Sequence, residues 1–316
     1  MSTPHSGAER VLVMDYAWPD LSLEERILAE AGFELVSVVD EGRSAIELID
    51  GCVAIMTCWA VVPAELLQAG RDLRMVARFG VGTDNIDVKE ARRLGLEVTY
   101  VPDYCMEEVS DHALGLALGW YRGIVHLDRM IRAGDWDPSA AKLRRMSALT
   151  VGVWGYGRIG RRTAEKFAAI GCRVIAHDPF AAAGPPAEMV DLDLLLAESD
   201  ILTLHMPPAP GGPMVTSEVL ARMKPDALLV NTARGALVDN DDLIAALEAG
   251  RIGGAALDVV AGEPELPAAL VAHPRTILTP HVAFSSRESV TELRERTAQD
   301  VVRVLRGEPA RNPFPG

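Results

Sequence analysis

The sequence predicts an α/β protein built on doubly wound parallel sheets, and three observations carry that prediction. Short apolar segments alternate with amphipathic ones, the pattern that lays helices over parallel strands. The alternation runs twice, from "RVLVMD" at residues 10–15 to "GLEVTY", and again from Leu149 to about His281. The second series opens on "TVGVWGYGRIG", an apolar strand running into Gly155, Gly157 and Gly160 where a helix begins. At 316 residues the chain is long for one core, so two domains are expected.

The first series reads strand "RVLVMD", helix "LSLEERILAEAG" stopped at Gly32, and strand "FELVSVV". Strand "CVAIMT", helix "PAELLQAG" and strand "LRMVARFG" follow. Its first strand-to-helix turn, "DYAWPDLS", has no glycine-rich phosphate loop. A long helical stretch over 106–134 then shows an apolar face broader than one sheet needs, before a linker, "DWDPSAAKLRRM". The second series contains six strands: "TVGVW", "CRVIAH", "DILTLHM", "ALLVNTA", "GAALDVV" and "TILTP". The acidic run "DNDDL" at 239–243 reads as a helix N-terminus favouring the dipole, not as a metal site. A final amphipathic helix, "RESVTELRERTAQDVVRVLRG", closes the chain.

A formal net charge of −14, spread along the chain, argues against phosphate-backbone binding and against an anionic membrane surface. Cys52, Cys58, Cys105 and Cys172 form no CxxC pair, so neither a disulfide framework nor a zinc site is expected. No His, Asp and Glu cluster has metal-ligand spacing. The opening "MSTPHSGAER" lacks a signal pattern, and no apolar run approaches the roughly 18 residues of a membrane span. A cytoplasmic protein is expected.

A G-x-G-x-x-G alone is a weak signal, but here it lies between strand and helix as the motif requires. Gly155 permits the tight turn, Gly157 lets a pyrophosphate approach, and Gly160 allows close packing of helix on strand. The helix N-terminus then holds the phosphates. Asp178 stands eighteen residues beyond Gly160 at the end of the next strand, placed to accept the ribose hydroxyls and repel a 2′-phosphate. The cofactor expected is therefore NAD rather than NADP. Arg161 and Arg162 fall beyond the loop, where solvated side chains are expected.

Catalytic groups in open α/β sheets come from loops at the carboxyl ends of the strands. "LVNTARGALVD" puts Arg234 there, "LDVVAGEPEL" puts Asp258 and Glu263, and "ILTPHVAFSS" puts His281. An arginine fork grips a 2-oxo acid through its carboxylate and carbonyl oxygens. A histidine passes a proton to or from the carbonyl oxygen, and a carboxylate beside it fixes the ring tautomer. Arg234, Glu263 and His281 supply each role once. His5, His112, His126, His177 and His273 are expected to be structural or exposed, while His205 is the best placed of the rest to line an adenine pocket.

"VGVWGYGRIG", "NTARGALVD", "AALDV", "GEP" and "TPH", in this order and with "RFGVGTDNID" upstream, resemble the D-isomer-specific 2-hydroxyacid dehydrogenase family. "VPDYCMEEVSDHALGLAL" is most similar to the branch with the C-terminal-binding-protein corepressors and their bacterial dehydrogenase relatives, among them phosphoglycerate-dehydrogenase-like members. The resemblance implies a Rossmann NAD domain, residues 103–282, inserted in a flavodoxin-like substrate domain of residues 1–102 plus 283–316. It implies His281 as acid/base, Glu263 as its partner, Arg234 as substrate anchor, and the Val81 and Gly82 amides as the carboxylate cradle. Asp258 is implied to meet the nicotinamide carboxamide, with Ala233 near it through its backbone. Tyr156, Arg158, Ile159, Thr232, His281 and Ala283 complete the implied cofactor contacts beside the glycines, Asp178 and His205. A homodimer through the NAD domain is implied as well, with the apolar face within 105–134 as its seam.

Two departures from the family's pattern bear on substrate. Thr57, in "TCWAV", aligns with an arginine that clamps phosphate in phosphoglycerate dehydrogenases, and Trp59 in that loop is expected to narrow the pocket or stack on an apolar substituent. "HMPPAPGGPMV" replaces a Thr-containing loop and suggests altered packing around the cofactor. The reading is hydride transfer between NAD and a small D-2-hydroxy acid/2-oxo acid pair. Its rivals are an NAD-sensing interaction module and oxidation of formate or phosphite on the same fold.

Overall fold

The computed structural model describes residues 8–182 and 184–315, so His5 lies outside the described residues. The chain divides into two compact units, 1–104 with 286–316, and 105–285.

In the first unit the order is β1 (Arg10–Val13), α1 (Ser22–Glu30), β2 (Glu34–Ser37), α2 (Val38–Glu41), α3 (Ala45–Leu48) and β3 (Cys52–Thr57). Then come α4 (Ala64–Ala69), β4 (Met75–Arg78), α5 (Val88–Arg93) and β5 (Glu97–Thr99). The strands form a parallel sheet in the order β2-β1-β3-β4-β5. All six residues of β3 are buried, which is why it reads as a continuous apolar run and not as an alternation. Leu12, Ile55, Leu66, Val76 and Val98 pack together in its core.

The second unit begins with α6 (Met106–Tyr121) and α7 (Ile124–Arg132). The sequence predicts one long helical stretch here; Gly123 divides it, turning into the left-handed region at φ 64°. The α/β series follows as β6 (Thr150–Trp154), α8 (Arg158–Ala169), β7 (Arg173–His177), β8 (Glu188–Met189), α9 (Leu192–Glu198) and β9 (Ile201–Leu204). It continues through α10 (Ser217–Arg222), β10 (Leu228–Asn231), α11 (Asn240–Glu248), β11 (Gly254–Leu257), α12 (Ala268–Ala272) and β12 (Thr276–Leu278).

The parallel order is β12-β11-β10-β9-β6-β7-β8, so β8 adds a short edge strand to the six expected. β6 lies between β7 and β9, where the strand order reverses, and a crevice opens at the carboxyl ends of the strands at such a switch point. The acidic run behaves as read: Asp239 caps α11, accepting the Asp241 and Asp242 amides. All four cysteines are buried, and none of them is in a disulfide.

The last helix, α13 (Arg287–Leu305), belongs to the first unit and packs on α1. Arg294 donates to both oxygens of Glu24, at 2.9 and 2.7 Å, so the fully buried Glu24 carboxylate is paired. Among the described residues no helix is long and apolar enough to cross a membrane, and no group of three metal-ligating side chains occurs.

Candidate active site

The glycine loop follows β6. Gly155 sits at φ 94°, and a Cβ there would lie 2.6 Å from the backbone of His205 and Met206, at the end of β9. At Gly160 a Cβ would lie 2.0 Å from the Gly155 carbonyl oxygen, so the first turn of α8 rests directly on the loop. Gly157 is different: a Cβ added there meets nothing within 4 Å. Two glycines are therefore required by the protein's own backbone, while the third keeps the helix N-terminus open on its outer side. No side chain caps α8, and Thr232 Oγ1, buried at the end of β10, has no hydrogen-bond partner. A bare helix N-terminus, an open Gly157 and an orphaned hydroxyl fit a dinucleotide.

These glycines separate binding from folding. Gly160→Ala should destabilise the fold by about 1–3 kcal/mol through overpacking, read as a lower urea midpoint, and should weaken NADH binding too. Gly157→Ala should leave the urea midpoint unchanged and weaken NADH binding alone.

Asp178 follows β7. One carboxylate oxygen accepts the Tyr156 amide at 2.7 Å; the other accepts the Phe180 and Ala181 amides at 2.8 and 3.1 Å. The carboxylate thus fastens the glycine loop to its own strand end. Arg161 and Arg162 lie on α8 beyond the loop and are part-exposed, and both also make contacts at the surface. Arg161 lies over the buried Tyr156 ring, 4.3 Å from its centroid, and donates to the Ala182 carbonyl, whereas Arg162 pairs with Glu107 and Glu165. Of the histidines expected to be structural or exposed, His177 has its Nδ1 3.0 Å from the Val190 carbonyl oxygen, and His273 Nδ1 accepts the Arg275 amide. His205 Nε2 lies 2.9 Å from Thr203 Oγ1, and burial pushes its imidazole down to about 3.

The strand-end loops after β10, β11 and β12 converge. Buried Asn231 shapes the first, donating to the Arg234 carbonyl at 2.8 Å and accepting the Ala233 amide at 3.0 Å. Gly235 then packs so closely that a Cβ would fall 2.2 Å from the Val260 backbone, bringing the Arg234 loop onto the Glu263 loop. Glu263 Oε2 accepts the Val260 amide at 3.1 Å, and Oε1 lies 2.6 Å from His281 Nδ1. A carboxylate only accepts, so Nδ1 carries the proton and Nε2 stands on the opposite side of the ring.

Burial pushes the Glu263 carboxyl up, but the His281 hydrogen bond and charge, the Val260 amide and nearby Arg234 outweigh it and hold it below the usual range. A depressed carboxyl stabilises the fold above its unfolded value, and that contribution disappears as pH falls through the folded value. Glu263→Gln should therefore flatten the acid side of a pH–stability curve measured by urea melts.

Asp258 organises the His281 loop from below. It is 2 % exposed, its Oδ1 accepts the Thr279 hydroxyl at 2.6 Å and the Val282 amide at 2.9 Å, and Oδ2 accepts the Ala283 amide at 2.9 Å. Its carbonyl accepts the His281 amide at 2.8 Å. Within this grip His281 takes φ 53°, the left-handed region; among the described residues other than glycine it alone has a positive φ.

In the first unit, Trp59 is 43 % exposed and Val61 65 %. Sequence reasoning passed over what holds their loop. Asp15, just past β1, accepts the Cys58 amide at 2.7 Å on one oxygen, and the Trp59 and Ala60 amides at 2.6 and 3.0 Å on the other. Thr57 is fully buried, and its hydroxyl donates to the Ala60 carbonyl at 2.8 Å. Arg78 was also passed over. It is buried at the end of β4, donates to the Phe79 carbonyl, and has an unpartnered Nε beside Gly80, just before Val81 and Gly82.

The family model described as "D-isomer specific 2-hydroxyacid dehydrogenase, NAD binding domain" matches residues 114–283. A glycerate dehydrogenase of Methylorubrum extorquens is 35% identical over 274 residues, covering 84% of this chain and 86% of its own. A D-3-phosphoglycerate dehydrogenase of Synechocystis is 36% identical over 283 residues, 87% of this chain, which spans about half (51%) of that protein's length. The structure of a D-lactate dehydrogenase from Aquifex aeolicus, complexed with NAD and lactic acid, superposes with a TM-score of 0.88 at 26% identity, covering 97% of this chain and 99% of that one. The chain belongs to the D-isomer specific 2-hydroxyacid dehydrogenases, a family of NAD-linked oxidoreductases, and residues 114–283 match its NAD-binding domain.

Proposed function

We propose that this protein interconverts a small D-2-hydroxy acid and its 2-oxo acid, with His281 as acid/base, Glu263 as its partner and Arg234 as the substrate anchor. The observation that carries this reading is the 2.6 Å pair of His281 Nδ1 with Glu263 Oε1, in the reach of the Arg234 charge. Bound NAD supplies or takes up the hydride at the substrate's second carbon. In the reductive direction the imidazolium gives its Nε2 proton to the carbonyl oxygen, and Glu263 steadies the charge on the ring. Arg234 aligns the acid through its planar fork.

The glycine loop with Tyr156, Arg158 and Ile159 takes the pyrophosphate, Asp178 the adenosine ribose, and His205 the adenine side. Thr232, Ala233, Asp258 and Ala283 are assigned to the nicotinamide end. The Val81 and Gly82 amides are assigned an anion cradle within the first unit, which the buried Arg78 guanidinium before them favours. Trp59 is assigned the substrate side chain. Because Thr57 is buried and hydrogen-bonded within its own loop, a phosphate group has no clamp at that position, and an uncharged substituent suits the loop better.

A cytoplasmic homodimer, binding neither nucleic acid nor membrane, is the assembly we assign. α7 buries none of its residues, and Ile124 and Ile131 on it are 59 % and 46 % exposed, as a subunit seam requires.

The deciding experiment is NADH oxidation with 2-oxo acids graded by size and charge, with NADPH in parallel. Turnover of uncharged-side-chain 2-oxo acids, faster with NADH, is expected. Absence of turnover across the whole panel would overturn the reading and leave an NAD-sensing module.

A further inference from the structure

We infer that His112, on α6, is a positioning residue for this reaction, acting on the His281 loop through Thr279 and Asp258. The inference rests on the His281 assignment above.

The hydrogen count sets the direction of the chain. His112 Nε2 lies 2.9 Å from Thr279 Oγ1, and the Thr279 hydroxyl lies 2.6 Å from Asp258 Oδ1. The carboxylate already accepts two amides, from Val282 and Ala283, and offers only lone pairs. Threonine has one hydroxyl proton, which goes to Asp258, so its oxygen accepts from His112. The relay therefore runs His112 Nε2–H to Thr279, and Thr279 O–H to Asp258. Nε2–H is present in the neutral tautomer this requires and in the imidazolium alike, so the relay survives either charge state of His112. His112 Nε2 also stands 3.5 Å from Asp258 Oδ1, where a positive ring would add attraction.

The relay ends where the chemistry needs precision. Residues 279–283 are held by the Thr279 amide on the Leu257 carbonyl, the His281 amide on the Asp258 carbonyl, and three donors on the Asp258 carboxylate. Those bonds lie on both sides of His281 and hold it in the left-handed conformation that presents Nδ1 to Glu263. α6 is a sixteen-residue helix packed in the core through Ala113, Leu116 and Ala117, a rigid support for the far end of the relay. Without the His112 donor the Thr279 hydroxyl is no longer fixed, Asp258 loses a defined partner, and the loop relaxes. A displacement of order 1 Å at a catalytic group costs up to about 100-fold in rate, so a partial loosening at about tenfold is the scale expected.

The test compares His112→Leu, His112→Gln, Thr279→Val and the Leu/Val double variant, in full-length protein with NADH and the best 2-oxo acid of the panel. His112→Leu and Thr279→Val should each lower kcat about tenfold with little change in KM. The double variant should be no slower than either single, because both cut one relay. His112→Gln, which keeps an N–H at similar reach, should recover most of the rate. Amide exchange read by NMR should quicken at Val282 and Ala283 and stay slow at Leu229 and Val230 in the sheet; a merely structural role would speed all four.

Unchanged kcat in both single variants, additive losses in the double, or no selective exchange at Val282 and Ala283 would each overturn the inference. Should His112→Leu fail to fold, Thr279→Val against Thr279→Ser decides it, the serine keeping the hydroxyl and the rate. If the wild type turns over no 2-oxo acid, the functional reading fails on its own, and the exchange measurement still judges the relay.

Discussion

Replacing His281 with asparagine should reduce kcat by about 10³-fold, the middle of the range for a general acid–base, while NADH affinity stays nearly intact. The expectation follows from which nitrogen does what. Asparagine can keep a donor toward Glu263 Oε1, now 2.6 Å from Nδ1, but has no group that gives and takes a proton at the Nε2 position. The left-handed backbone at φ 53° also suits asparagine, so the loop keeps its path and the loss is chemical. Stopped-flow turnover beside fluorescence titration of NADH reads the two quantities separately. A variant within tenfold of wild type would falsify the acid–base assignment.

Arg234→Lys should raise KM for the 2-oxo acid by about 100-fold, the loss of one charge-assisted hydrogen bond of a forked pair at roughly 1.5–3 kcal/mol. The main-chain path around Arg234 is set by Asn231 and by the Gly235 contact with the Val260 backbone, neither of which the substitution touches. The ammonium restores a positive charge but not a planar pair of donors, so binding suffers more than folding. Initial-rate kinetics over 2-oxo acid concentration measure it. A KM that stays put would remove Arg234 from the anchor role.

Much of this architecture was legible from local pattern. Buried parallel strands must be apolar on both faces, so β3 and the strands of the second sheet announce themselves as runs, and a left-handed or crowded turn leaves glycine as the residue that fits, as at Gly155 and Gly160. β8 was not legible because a two-residue edge strand carries too little periodicity. The break at Gly123 was missed because the apolar face continues across it, and a single glycine inside a helical pattern does not declare whether it bends the chain.

That the loops of Arg234, Glu263 and His281 come together was legible because all three stand at strand ends of one sheet. The bonds that hold these loops, and the Trp59 loop of the first unit, were not found, because they join residues far apart in the chain. Asp15 reaches Trp59 across 44 positions, Asp258 reaches Ala283 across 25, and His112 reaches Thr279 across 167. Nothing in a sequence marks one carboxylate among many as the acceptor of distant amides. The contacts of Arg161 with the Ala182 carbonyl and of Arg162 with Glu107 were not legible for the same reason.

The grip of Asp15 on residues 58–60 has an evolutionary corollary. It holds the main-chain amides of these three residues, so the exposed Trp59 can be exchanged while the curve they trace stays the same, whereas burial fixes Cys58. A segment fastened in this manner works as an interchangeable cassette. Chains that share this grip would differ at the exposed position while the turn keeps its path.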